Sequence, residues 1–155
     1  MAAIPYTQAQ MQQLILESLE CRRQWGGINQ MMELSLESCC AETGVVHLSH
    51  PMAFWETNVI GTMHGGLITL LLDSAMAIAA LCCTGNRRMP TSDIHVSFLR
   101  PVQQDSTVHI RAYSMHAGKR LLQMRAELWT NSPELPCACA SATFYRVGET
   151  PDSKG

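Results

Sequence analysis

Charged residues are scarce in this chain, at 15% of 155 residues against the roughly 25% usual for globular domains. Aromatic residues are scarcer still at 6%. Neither shortage means disorder, because 46% of the chain is hydrophobic, and disorder needs low hydrophobicity together with high net charge. The thin charge implies instead that part of the surface lies against another subunit. A basic excess is also missing. Eleven Lys and Arg stand against thirteen Asp and Glu, a formal charge of −2, which excludes the electrostatic footprint of a nucleic-acid binder.

No C-x-x-C pair occurs among the seven cysteines, Cys21, Cys39, Cys40, Cys82, Cys83, Cys137 and Cys139. An odd number with two adjacent pairs is neither a disulfide framework nor a zinc site. They read as small buried hydrophobes in a reducing compartment. Met1 to Gln10 holds neither a basic cluster nor an apolar run, so the expectation is a cytoplasmic chain without a secretory leader. The longest apolar stretch, Leu67 to Cys83, is interrupted by Thr69, Asp73 and Ser74. It falls short of the ~20 residues of a bilayer span and carries a carboxylate at its middle, which predicts a buried helix and no membrane partner.

What is present is a change of period. Thr7 and Gln10 have the form of a capping box, followed by a helical stripe of Met11, Leu14, Ile15 and Leu19 that ends near Trp25-Gly26-Gly27. A helical turn over Ile28 to Met32, strands over Leu34–Cys40 and Val45–His50, and a loop from Pro51 to Thr62 follow. The apolar helix spans Gly65 to about Cys83, with Gly85 and Asn86 as its stop. After Pro90 apolar residues alternate with polar ones in four runs, around Ile94–Phe98, Val108–Ala112, Leu122–Leu128 and Ala138–Phe144. One apolar face per strand predicts an α+β arrangement: about six antiparallel strands curved around one long central helix. The expected organisation is a helical extension over 1–30, one domain over 31–147 and a frayed tail over 148–155.

Chemistry concentrates in Asn58-Val-Ile-Gly-Thr-Met-His64-Gly65-Gly66, which opens the apolar helix. The first turn of a helix leaves backbone N–H groups unpaired at the positive end of its dipole. Glycines there let a ligand come close, so the terminus can hold an anion or a carbonyl oxygen that becomes an oxyanion. Asp73 adds a carboxylate on a largely apolar helix, where it is either paired, for instance with Thr69 or Ser74, or kept for function. Gly65 and Asp73 are eight residues apart, about 12 Å along one helix, so they cannot both touch the same small group from one chain. If both act on one carbonyl, the amide comes from one subunit and the carboxylate from another, which predicts a dimer with two identical composite sites.

The loop Asn-x-x-Gly-x-x-His-Gly-Gly, the Asp eight residues after its first paired glycine, and the four strands beyond resemble the hotdog-fold thioesterases, in particular the branch of the phenylacetate-pathway acyl-CoA thioesterases. The resemblance covers roughly Leu34 to Val147. It implies hydrolysis of acyl-CoA to free acid and CoA without a further cofactor, by a homodimer often doubled to a tetramer. By the same resemblance Gly65 supplies the oxyanion N–H, and Asp73 acts as general base or as nucleophile. Asn58 holds the thioester or orients water, His64 bonds near the thioester or braces the loop, and Thr91 helps place the water. Gly66, Arg100, Pro101, Lys119 and Arg120 fall at substrate- or CoA-binding positions. The plainer reading of Arg100 is a solvated strand end, of Lys119 and Arg120 solvated hairpin charges, and of Thr91 the start of a strand.

His47, His50, His95, His109 and His116 lack metal-ligand spacing, so no metal is expected. The ten methionines read as core filler, a few of them lining an acyl pocket. The extension over the first 30 or so residues exceeds the minimal fold and is placed to cover the acyl channel or the outer sheet. A dehydratase of acyl thioesters would place the helix-opening glycine after a proline-containing loop, which Met63-His64-Gly65-Gly66 does not reproduce. The alternative from another class is a non-catalytic acyl-CoA sensor; it leaves Asp73 unexplained, and the acidic stretch before Val45 is a poor reader of phosphate backbones.

Overall fold

In the computed structural model, which describes residues 4–85 and 89–146, the chain begins with helix α1, Gln8–Trp25. Its capping box is formed: the Thr7 hydroxyl accepts from Gln10 N–H, and the Gln10 side chain returns a bond to the Thr7 N–H. Met11, Ile15 and Leu19 form the buried stripe, while Leu14 is only half-buried. The Gln8 amide fastens this helix to the next strand, donating to the Cys39 carbonyl at 2.8 Å and accepting from Ala41 N–H at 2.9 Å. One short turn, α2 over Ile28–Met31, then leads into the sheet.

Six strands form one antiparallel sheet: β1 Ser35–Cys40, β2 Val45–Pro51, β3 Thr91–Phe98, β4 Thr107–Ala117, β5 Leu121–Trp129 and β6 Ala138–Tyr145. Their order is β1-β2-β4-β5-β6-β3, so β1 and β3 are the edges. The central helix α3, Gly65–Thr84, packs against β4, β5 and β6 and more lightly against β2 and β3. The sequence allows that close seat. Ala112, Ala126 and Ala140 stand opposite one another across β4, β5 and β6, a row of small side chains on the inner face. Above the sheet, Leu71, Leu72, Met76 and Ile78 are fully buried, and truncating any one to Ala costs about 2–5 kcal/mol. This is the hotdog fold, α+β, a long helix wrapped by a six-stranded sheet with an added N-terminal helix.

Three expectations need correction. The apolar helix is 20 residues long, so by length and composition alone it could cross a bilayer; its most apolar window is 61% buried in the fold. The Pro51–Thr62 segment is not irregular throughout: Phe54–Glu56 form one 3-10 turn, and Thr57 bridges Met63 to make a small hairpin. And β3 does not hide its apolar face as β2, β4, β5 and β6 do. Ile94 and Val96 are half-buried and Phe98 is 55% exposed, because β3 is an edge that the helix covers only in part. Gly85, in the left-handed conformation, ends α3 by donating to the Leu81 carbonyl. Asn86, expected to share in that stop, and the tail from Val147 lie outside the described residues.

Candidate active site

The N-terminus of α3 can be accounted for donor by donor. His64 is the N-cap, with an extended backbone, and its Nδ1 accepts the Gly66 N–H at 3.1 Å. Its carbonyl accepts from Leu67 at 2.9 Å and from Ile68 at 3.2 Å. Among the described residues that leaves one N–H of the first turn without an acceptor, that of Gly65. The first turn contains no acidic side chain, so the positive end of the helix dipole is not neutralised by its own helix. The lack of a side chain at position 65 matters for approach rather than for backbone angle. A Cβ there would stand 3.3 Å from Cζ of Phe98, whose ring lies over the glycine.

The loop before the helix is held within itself by Asn58, to β2 through Glu56, and to the β3–β4 connection by Met63 N–H donating to the Val102 carbonyl at 2.9 Å. The Asn58 side chain accepts from Ile60 N–H at 3.0 Å and Thr62 N–H at 3.1 Å, and donates to the Thr62 hydroxyl at 2.9 Å. Its amide is thus engaged within its own hairpin, where Gly61 takes the positive φ of 81° that the turn requires. The second hold was not legible in the sequence. Glu56, 0% exposed, binds His50 Nε2 through both carboxylate oxygens, at 2.8 and 3.0 Å, and its own carbonyl accepts the His64 N–H at 2.8 Å. Neither residue carries a local signal, since their meeting depends on the loop folding back over the end of β2.

Asp73 is half-buried on α3 and accepts from the Thr91 hydroxyl at 2.8 Å. Thr69, a candidate partner one turn earlier, donates instead to the Gly65 carbonyl. Asn58, His64, Gly65 and Gly66 therefore meet at one loop–helix junction, and Asp73 and Thr91 meet at a second point about 12 Å along the helix. Beside the second point opens a cleft of about 660 Å³ between α1 and α3. Leu14, Trp25, Ala77, Leu81, Met89 and Pro90 are among its lining residues. Ala77 is one turn past Asp73, and Pro90 immediately precedes Thr91, but neither Asp73 nor Thr91 is itself part of the lining.

The remaining expected residues join neither point through a hydrogen bond among the described residues. Arg100 donates to the Pro136 carbonyl at 2.8 Å, and Pro101 is exposed. Lys119 and Arg120 are exposed on the β4–β5 hairpin. No group of three or more His, Cys, Asp or Glu able to hold a metal occurs among the described residues.

A free helix N–H beside a glycine, with a carboxylate eight residues on, is the geometry to set against known proteins. A family model described as "Thioesterase superfamily" matches residues 60–137, half of the chain, including His64, Gly65, Asp73 and Thr91. This chain belongs to the thioesterase superfamily. Within that superfamily, human acyl-coenzyme A thioesterase 13 is 32% identical over 66 residues, 43% of this chain and 47% of the relative. The match thus spans about half the length of the curated relatives. A conserved protein from Pseudomonas aeruginosa shares 28% identity at a TM-score of 0.70, over 79% of this chain and 94% of that one. Two further solved structures are similar at lower identity. Thioesterase superfamily member 2 from Mus musculus has a TM-score of 0.75 at 20% identity, over 87% of this chain and 96% of that one. The PaaI protein of the E. coli phenylacetic acid degradation operon has a TM-score of 0.72 at 19% identity, over 88% of this chain and 95% of that one. The shared fold therefore extends across both kinds of relative.

Proposed function

We propose that this protein hydrolyses acyl-CoA thioesters to a carboxylic acid and CoA. The observation that carries the reading is the unpaired Gly65 N–H at the positive end of α3, on a helix that also holds a carboxylate fixed by Thr91. The thioester oxygen accepts from Gly65 N–H, which stabilises the oxyanion of the tetrahedral intermediate. Asp73 from a second copy takes a proton from the attacking water, the C–S bond breaks, and the thiolate leaves to be protonated as CoA. In the variant with Asp73 as nucleophile, its oxygen displaces the thiolate and water then cleaves the mixed anhydride. His64 and Asn58 brace the loop that presents Gly65, and Thr91 orients Asp73.

Two copies are required because the two points stand about 12 Å apart in one chain. The edge strand β3, with half-buried Ile94 and Val96 and exposed Phe98, supports pairing there, as an open edge and partly bare face favour a second chain. In this reading the working unit is a homodimer, doubled to a tetramer, in the cytoplasm. It needs no metal or added cofactor, and CoA is recognised by Gly66, Arg100, Pro101, Lys119 and Arg120. The Asn-x-x-Gly-x-x-His-Gly-Gly loop favours the phenylacetate-type branch. Aliphatic acyl groups are the other class to try.

The test is free-thiol release from a panel of phenylacetyl-, hydroxybenzoyl-, short- and medium-chain acyl-CoA, with wild type beside Asp73→Asn. Turnover by wild type and its loss in the folded variant are expected. CoA thioesters that bind without turnover would make the protein a sensor. Absence of both binding and turnover would refute the reading.

A further inference from the structure

The His50–Glu56 pair is among the most deeply buried polar contacts in the described chain and is not accounted for by the reaction itself. The side chains are 1% and 0% exposed. Glu56 accepts from His50 Nε2 at 2.8 and 3.0 Å and from the Ala53 N–H at 2.8 Å, while His50 Nδ1 is buried without a partner. Such an arrangement is poor value for stability: charges lose their hydration on burial, and apolar residues of like volume commonly serve a core as well. Its position is more informative than its energy. His50 belongs to β2, a strand locked in the sheet between β1 and β4. Glu56 ends the 3-10 turn, and its carbonyl accepts the N–H of His64, the residue immediately before Gly65.

We infer that His50 and Glu56 are positioning residues that reference the Gly65 N–H to the rigid sheet. The path is continuous and short. β2 holds His50, His50 holds the Glu56 carboxylate, the Glu56 carbonyl holds His64 N–H, and His64 caps the first turn of α3 through Gly66. The carboxylate also accepts from Ala53 N–H at the start of the same turn, which fixes the orientation of Glu56 within it. Asn58 fixes the shape of the hairpin tip, but its bonds are all local to the hairpin. Met63 N–H donates to the Val102 carbonyl at 2.9 Å and Thr62 bridges Gln103, which ties the hairpin to the β3–β4 connection; without the buried pair it would keep that tie and lose its register against β2. An oxyanion donor is useful only within a few tenths of an ångström of where the charge develops, so loss of register would show in the chemical step rather than in substrate binding.

The inference rests on the thioesterase reading, and its experiment separates the two. The double variant His50→Leu/Glu56→Leu removes the pair while filling its volume; Glu56→Gln keeps an acceptor for Ala53 and a polar partner for His50. Steady-state kinetics on the best acyl-CoA are expected to show the folded double variant with kcat down about 10–100-fold and KM within about threefold, and Glu56→Gln near wild type. A folded double variant with wild-type kcat overturns the inference. So does a Glu56→Gln as impaired as the double variant, because the charge itself would then be acting in catalysis. Hydrogen exchange of the His64 amide in the wild type decides the matter if the double variant does not fold. Protection comparable to β2 supports the brace, and exchange as fast as an exposed loop overturns it. Wild type inactive on every acyl-CoA would refute the thioesterase reading alone, leaving the exchange result to judge the brace.

Discussion

The Thr91 hydroxyl donates to Asp73 Oδ1 at 2.8 Å, tying the middle of the central helix to the first residue of the edge strand β3. The bond fixes one carboxylate oxygen; among the described residues no hydrogen bond to the other is seen. It also makes the orientation of Asp73 depend on the strand at which a second copy is proposed to pair.

Removing that hydroxyl should disorient the carboxylate without unfolding an exposed strand start. Thr91→Val is expected to lower kcat about 10-fold to 100-fold, the worth of one hydrogen bond to a charged group, with KM little changed. Thr91→Ser should retain most activity. Steady-state kinetics on the three proteins check this, and a Val variant as fast as wild type would remove Thr91 from the site.

Gly65 offers a cleaner substitution than alanine. Proline is favoured at the first position of a helix, where its missing N–H breaks no helical bond, and the extended backbone of His64 suits a following proline. Gly65→Pro therefore deletes the free N–H and keeps the helix, with the Phe98 ring giving by a few tenths of an ångström. Hydrolysis is expected to fall about 10²–10³-fold, the usual cost of one oxyanion donor. Circular dichroism and thermal melting should stay close to wild type.

The cysteines should separate by environment. Burial pushes the Cys82 thiol up from 9.0 to about 12, helped by the neighbouring Cys83, and burial pushes Cys83 up to about 11. A hydrogen bond from the Thr43 hydroxyl lowers Cys40. At about pH 8 iodoacetamide should label Cys40 ahead of Cys82 and Cys83, which react only after denaturation. The sign of the linked stability follows. The buried thiols favour the fold fully below pH 9.0, and the contribution is lost as pH rises toward about 11 and 12. Equal labelling of all three in the native protein would contradict their placement.

Asn58 accepts two N–H groups and donates to Thr62, so Asn58→Asp keeps the acceptors and loses the donor. The Asp variant should keep more activity than Asn58→Ala, which releases the whole hairpin. The same order in kcat and in melting temperature is expected. An Ala variant as active as wild type would show that the hairpin does not need its side-chain brace.

How far the sequence could be read follows from the range of each interaction. The Thr7 capping box, the α1 stripe and the alternation in β4 and β5 depend on residues within a turn or a strand, and all are legible there. So is the helix start at His64-Gly65-Gly66, because glycine and a capping side chain act locally. The Asp73–Thr91 bond spans eighteen positions, and the pattern could place each residue but not join them. The His50–Glu56 pair was invisible, since a polar residue in a loop reads as solvated until the loop folds back. Exposure of Phe98 on β3 likewise depends on strand order, which alternation alone does not encode.

Subunit complementation tests the central claim, a site shared between two copies, most directly. Gly65→Pro and Asp73→Asn proteins, each nearly inactive alone, are mixed, allowed to exchange subunits, and assayed for thiol release from acyl-CoA. A mixed dimer has one site with an intact Gly65 from one chain and an intact Asp73 from the other, so the account predicts recovery of about a quarter of wild-type activity. If subunit exchange is verified and no activity returns, Gly65 and Asp73 do not act together across the interface, and the account fails.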